Sequence, residues 1–404
     1  MKKILVFLIL FSCAKREYIK GEVKKYYIQK KKKVKSYEPF LRILLYENEN
    51  PLYISGTGIY YAVDSQGKRY KFFADNILKI EKKSEGPLLY LDGKKTNLSL
   101  PLVFYTDENY FLKIQGKRYR GKIEIDEYLR VINLVKVEDY LRSVVPLEIG
   151  SPFLSNFEAL KAQAVCARSY AMRKYLEKKE SFFHLYADIK DQVYGGKDKE
   201  NEITDLAIQM TRGEVLMYEN EVALTLFHST CGGTTSYYDE AFPNESFIPY
   251  LKSVRCNFQG KDLCSNSPYY RWKKEFSISD FMENLAGNIS NLLGISLSGR
   301  DIIDFSISDR SSTGRVREVK VKTKKGTFTF KGYDIRKLLK KDGFLPSNFF
   351  FLKNQGNRVI IIGRGFGHGV GLCQYGALSL AKKGVGYDRI LKFYYQGTKI
   401  QKIY

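Results

Sequence analysis

The chain has 404 residues, 44% of them hydrophobic, which is enough to bury the cores of two or more domains and excludes a disordered protein. Lys and Arg outnumber Asp and Glu by 67 to 44, a net charge of +23. A field of that sign attracts polyanions such as nucleic acid, anionic lipid or anionic wall polymer, and charge alone does not choose among them.

The first 13 residues narrow the choice. Lys2 and Lys3 precede an apolar run from Ile4 to Phe11, and Ser12-Cys13 follow, the pattern of an export signal. The run is too short to span a bilayer as a helix, which takes roughly 20 apolar residues. Leu10-Phe11-Ser12-Cys13 resembles a bacterial lipobox, in which Cys13 is lipidated and becomes the mature N-terminus. An ordinary signal peptide cleaved nearby is the alternative. Both place the mature chain outside the cytoplasmic membrane, and both remove nucleic acid as a partner. Residues 14–37, with Lys30 to Lys33 in succession, read as a solvated basic tether.

Residues 38–122 read as a β-rich N-terminal region. Apolar and β-branched runs such as Leu41 to Tyr46 and Leu52 to Ser55 recur, and turns such as Asp64 to Gly67 and Asp92 to Lys95 separate such runs. Residues 123–404 read as a helix-containing catalytic region. Ser155 and Glu158 fit a capping box, and Leu160, Ala164, Ala167 and Ala171 recur at helical spacing, so one face of that helix is buried. A further helix is expected from Glu202 to Arg212, then strands from Glu214 to Tyr218 and Val222 to Phe227. An inserted α/β subdomain is expected at about 275–355, with a hairpin of Arg315 to Val321 and Thr327 to Phe330. Helices from Gln374 to Lys383 and Tyr387 to Tyr395 close the chain, and the fold class is α+β.

The three histidines are His184, His228 and His368. His228 opens the stretch His228-Ser229-Thr230-Cys231-Gly232-Gly233, and His368 lies in a glycine-rich run from Gly363 to Gly371. Alternating glycines let a backbone approach a partner closely, so the run either cradles a ligand or packs as a tight turn on the core. It is neither a Walker loop nor a dinucleotide fingerprint. Glu148 follows Pro146 and is flanked by Val144, Val145, Leu147 and Ile149, just before the capped helix. A carboxyl group desolvated at that helix entrance has the raised pKa a general acid needs; the alternative is an ordinary surface glutamate.

The resemblance to a known family rests on several collinear blocks. They are Val144-Val145-Pro146-Leu147-Glu148, the stretch from Glu158 to Ala171, and Asp191-Gln192-Val193-Tyr194-Gly195-Gly196. The stretches from His228 to Gly233, Ser267 to Trp272, Gly365 to Ala377 and Ile390 to Thr398 complete the set. Together they resemble the stage II sporulation protein D / amidase-enhancer (SpoIID/LytB) family over about residues 120 to 400. The resemblance implies a peptidoglycan lytic transglycosylase acting on the glycan strands, preferably those lacking stem peptides, with Glu148 as catalytic acid and base. It implies that Lys161 and Arg168 orient Glu148 or the sugars, and that His228, His368 and Tyr375 wall the cleft. Gln163 and Tyr170 are read as packing residues. Some relatives enhance a wall amidase instead, so an amidase is a candidate partner. Cys166 and Cys373 stand where the family commonly has Ala and Ser, and both read as small buried residues.

No cofactor is required by that chemistry. Cys231, Cys256 and Cys264, with His228 nearby, are candidate zinc ligands, and a disulfide between Cys231 and Cys264 or Cys256 and Cys264 is the equal alternative. With Cys13 in the leader, five cysteines remain, so a monomer keeps at least one unpaired.

Overall fold

The computed structural model describes residues 37–150, 152–340 and 343–404. The export signal with Cys13, and all but the last residue of the tether, lie outside the described residues. Among the described residues no helix is long and apolar enough to cross a membrane.

The N-terminal half is β-rich, as its alternating apolar residues predict. Leu52 and Ile54 are buried while Tyr53 between them faces out, and Leu78 with Ile80 and Leu112 with Ile114 repeat the period. These strands belong to a six-stranded sheet. A seven-stranded sheet runs in the order Leu185–Tyr186, Phe40–Tyr46, Val131–Lys136, Lys122–Ile125, Leu102–Thr106, Tyr60–Asp64 and Arg69–Phe72. Phe40–Tyr46 lies antiparallel to Val131–Lys136, with Ile43 opposite Asn133. That register matters because Val131–Lys136 runs directly into helix α1 (Val137–Ile149), which carries Glu148.

Helix α1 begins without a side-chain cap, but Glu138 and Asp139 in its first turn oppose the positive end of the helix dipole. Helix α2 (Phe157–Glu177) follows a single 3-10 turn, Leu154–Asn156. The expected capping box is absent: no side chain caps α2, and Glu158 instead pairs with Lys161 and accepts the Tyr387 N–H. Helix α3 is Glu202–Met210, capped by Asn201. The expected strand from Val222 to Phe227 shrinks to Glu221–Val222 and Phe227–His228, because residues 223–226 pair in no sheet.

The segment after Trp272 has its own hydrophobic core. Helix α4 (Ile278–Leu293) is capped by the Ser277 hydroxyl and buries Phe281, Leu285 and Ile289 with Val319, Val321, Phe330 and Ile361. The hairpin forms as its alternation predicts, with Val319 opposite Phe330 and Val321 opposite Phe328. Helices α5 (Gln374–Lys382) and α6 (Tyr387–Tyr394) then return to α2.

Helix α2 is the centre of the helical part. It is buried without a break from Ala162 to Met172, with α1, α3, α5 and α6 packed around it. Ala159, Ala162, Ala164, Ala167 and Ala171 are fully buried, and their small side chains are what let so many neighbours approach one helix. The strand Glu214–Tyr218 pairs with Lys399–Lys402, Met217 opposite Lys399. Everything described from Pro39 to Lys402 belongs to one unit.

Candidate active site

Glu148 sits in the last turn of α1, not at a helix entrance. The sequence reading missed this helix because Pro146 lies inside it and interrupts the helical signal. The helix ends at Gly150, whose φ of 59° reverses the chain. The new position strengthens the chemical argument. Carbonyls at a helix C-terminus carry partial negative charge, which disfavours a carboxylate there.

The Glu148 side chain is half-buried, and its Oε1 accepts one hydrogen bond, from the Val193 N–H at 2.8 Å. Burial pushes the carboxyl pKa up from its ordinary 4.5 to about 7, against the smaller lowering effect of that N–H. A group with that pKa is well placed to give a proton and take one back near neutral pH.

The loop that supplies Val193 is fixed at both ends. Asp191 accepts the Tyr170 hydroxyl at 2.6 Å and the Tyr186 N–H at 2.8 Å, one on each oxygen. Gln192 accepts the buried Tyr140 hydroxyl, and Gly195 donates its N–H to Ser143, both on α1. At the far end Glu200 receives Arg120 at 2.5 and 2.9 Å and Arg142 at 3.0 Å. The loop therefore cannot drift relative to α1, and the Val193 N–H stays aimed at Glu148. Sequence reasoning quoted the block from Asp191 to Gly196 but gave it no role. Tyr140 and Ser143 went unnoticed, since residues that act through a backbone group leave no chemical signature of their own.

Arg168 is corrected by the structure. It is fully buried and grips Glu138 with two bonds of 2.9 and 2.8 Å, then donates to the carbonyls of Glu214 and Ile208. Such a guanidinium is spent on joining α1, α2, α3 and the strand at Glu214. Lys161 likewise pairs with Glu158 at 2.5 Å and lies over the Tyr387 ring. Neither cation is among the groups that shift Glu148.

His228 is also corrected. It is buried, its Nδ1 bonds to the Val370 carbonyl at 3.0 Å, and its Nε2 has no partner, so it is core and not cleft wall. His368 is half-buried, with Nε2 on the Phe227 carbonyl and Nδ1 on the Val370 N–H. Burial drives its pKa down to about 4, so the ring is neutral and serves as a bracket between strands. The glycine run packs flat on residues 226–228: a side chain at Gly367 would strike His228, and one at Gly371 the Leu226 carbonyl. The tight-turn reading of the run is therefore the right one. Tyr375, half-buried near the start of α5, donates its N–H to the Ser229 carbonyl.

Comparison with known proteins now bears on this site. A family model described as stage II sporulation protein matches residues 126–218, the segment from the strand before α1 through Tyr218. The stage II sporulation protein D of Bacillus subtilis is 33% identical over 284 residues, covering 66% of this chain and 75% of that protein. This chain belongs to the stage II sporulation protein D (SpoIID/LytB) family. Another relative, an uncharacterized protein of Brachyspira hyodysenteriae, is 33% identical over 306 residues, 74% of this chain and 76% of its own length. The amidase enhancer of Bacillus subtilis is 28% identical over 339 residues, 72% of this chain but 46% of that protein. A domain of unknown function, DUF8618, matches residues 249–371. The SpoIID match takes in Glu148, Arg168 and Val193 together, so α1, α2 and the bracing loop belong to one family segment.

Proposed function

We propose that the protein is an exported peptidoglycan lytic transglycosylase in which Glu148 acts alone as acid and then base. The observation that carries this reading is a half-buried carboxyl, raised to about 7 and held by one backbone N–H. Hydrolytic glycosidases use two carboxyl groups. The acid in the bracing loop, Asp191, has both oxygens taken by Tyr170 and Tyr186, so it is a brace and not a second catalyst. A single acid is sufficient when the substrate supplies its own nucleophile.

In that reaction protonated Glu148 gives its proton to the glycosidic oxygen as the bond from the N-acetylmuramyl anomeric carbon breaks. The C6 hydroxyl of the same sugar attacks that carbon, and Glu148 accepts its proton. One bond breaks, one forms, no water is consumed and Glu148 returns to its starting state. The product carries a 1,6-anhydro end. The reading requires a chain outside the cytoplasmic membrane, which the leader supplies, and lipid on Cys13 would hold it there, facing the wall.

The test is mass spectrometry of fragments released from purified glycan strands, with and without stem peptides. Wild type is expected to release ends one water lighter than hydrolysis gives, and Glu148→Gln none, while both bind sacculi equally. Full activity in Glu148→Gln would reject the assignment. Similarity to an amidase enhancer supports a second reading, in which the chain binds wall and stimulates a separate amidase. That reading predicts no fragments from the chain alone and faster release of stem peptides when an amidase is added.

A further inference from the structure

We propose that Cys231, Cys256, Cys264 and Cys373 together hold one structural zinc ion. Their four Sγ atoms lie within 4.8 Å of one another, and all four residues are fully buried. The sequence reading had three of them and set Cys373 aside as a small buried residue. The fold corrects that, because the short strand Phe227–His228 runs parallel to Leu372–Cys373 and brings Cys373 beside Cys231.

The spacing separates the two readings left open by the sequence. Cys231 and Cys264 are 3.6 Å apart at sulfur. A disulfide needs about 2.05 Å. Four sulfurs each about 2.3 Å from a tetrahedral zinc lie about 3.8 Å from one another. All five described cysteines are free thiols, and the one outside the cluster, Cys166, bonds to the Tyr395 hydroxyl instead.

Donors around the cluster suit thiolates. The Cys231 N–H points at the Cys373 sulfur at 3.3 Å, and the Tyr394 hydroxyl lies 3.2 Å from the Cys256 sulfur. Hydrogen bonds of this kind orient metal-bound sulfur and relieve its charge. Arg315, itself buried, donates to the carbonyls of Cys231 and Thr234 and brings positive charge close to the cluster. Four sulfurs fill a tetrahedron and leave no open position, so the ion is structural. It would clamp the turn after His228, both sides of the hairpin Asn257–Phe258 and Lys261–Asp262, and the start of α5. In an oxidising compartment, where neighbouring thiols tend to pair, bound zinc would also hold these four apart.

The proposal is independent of catalysis and is tested without it. The full chain, purified under reducing conditions with zinc supplied and then dialysed, is expected to retain about one zinc per chain by mass spectrometry of the metals. Cobalt(II) in its place is expected to give the visible and near-ultraviolet bands of a tetrahedral tetrathiolate. Cys373→Ser is expected to retain below roughly a tenth of the wild-type zinc, and Cys166→Ser all of it. Should Cys373→Ser fail to fold, the cobalt spectrum of the wild-type chain decides. Trace metal with all thiols reduced, stoichiometric iron, or disulfides among these four cysteines in peptide maps would overturn the proposal.

Discussion

Replacing Glu148 with Gln is expected to change how stability depends on pH. The carboxyl rises from an ordinary 4.5 to about 7 in the folded chain, which corresponds to about 3 kcal/mol. Because the side chain is only half-buried, solvent screening makes this an upper bound. Below about pH 4.5 the group is protonated in both folded and unfolded chains and contributes nothing. Between about pH 4.5 and 7 the unfolded chain releases the proton while the folded chain keeps it, so wild-type stability falls as pH rises. Above about pH 7 the penalty is complete. Gln keeps an oxygen for the Val193 N–H but has no proton to lose. Urea unfolding of both proteins at about pH 4 and about pH 8 should show Gln gaining on wild type by up to about 3 kcal/mol between the two. An equal gap at both pH values, or a Gln variant that loses ground as pH rises, would refute the desolvation argument.

The same carboxyl must be protonated to start the proposed reaction, so kcat/KM for release of anhydro ends should fall above about pH 7. A limb found near pH 4 to 5 instead would mean that Glu148 is not the acid. Arg168→Met removes the guanidinium that grips buried Glu138 and should cost roughly 3–5 kcal/mol in urea unfolding, with much of the loss recovered by also changing Glu138→Leu. A cost below about 1 kcal/mol would refute the reading of Arg168 as a structural link between α1 and α2.

Much of the fold could be read from local pattern. The two-residue alternation at Leu52 and Ile54, the hairpin of Val319 and Phe330, and the alanine spacing of α2 each announce a buried face within a few residues. What stayed hidden depends on residues far apart. Helix α1 was obscured by Pro146, and its Glu148 draws its one hydrogen bond from a backbone group 45 positions later. Arg168 looked like a substrate cation because the acid that absorbs it, Glu138, lies 30 residues away on another helix. His228 and Cys373 were misjudged for a related reason. Only the pairing of two two-residue strands, 145 positions apart in register, shows which is core and which joins the cysteines.

The pairing of Glu214–Tyr218 with Lys399–Lys402 has a consequence for how the chain comes to be made. A polypeptide that emerges from its N-terminus, whether from a ribosome or a translocon, cannot complete this sheet until residue 402 is free. Until then α2 lacks α5 and α6, and its alanine faces are open to solvent and to other chains. Folding of this protein during synthesis therefore demands either speed or a chaperone at the exit side, and a fragment cut to residues 126–218 would inherit the exposed surface permanently.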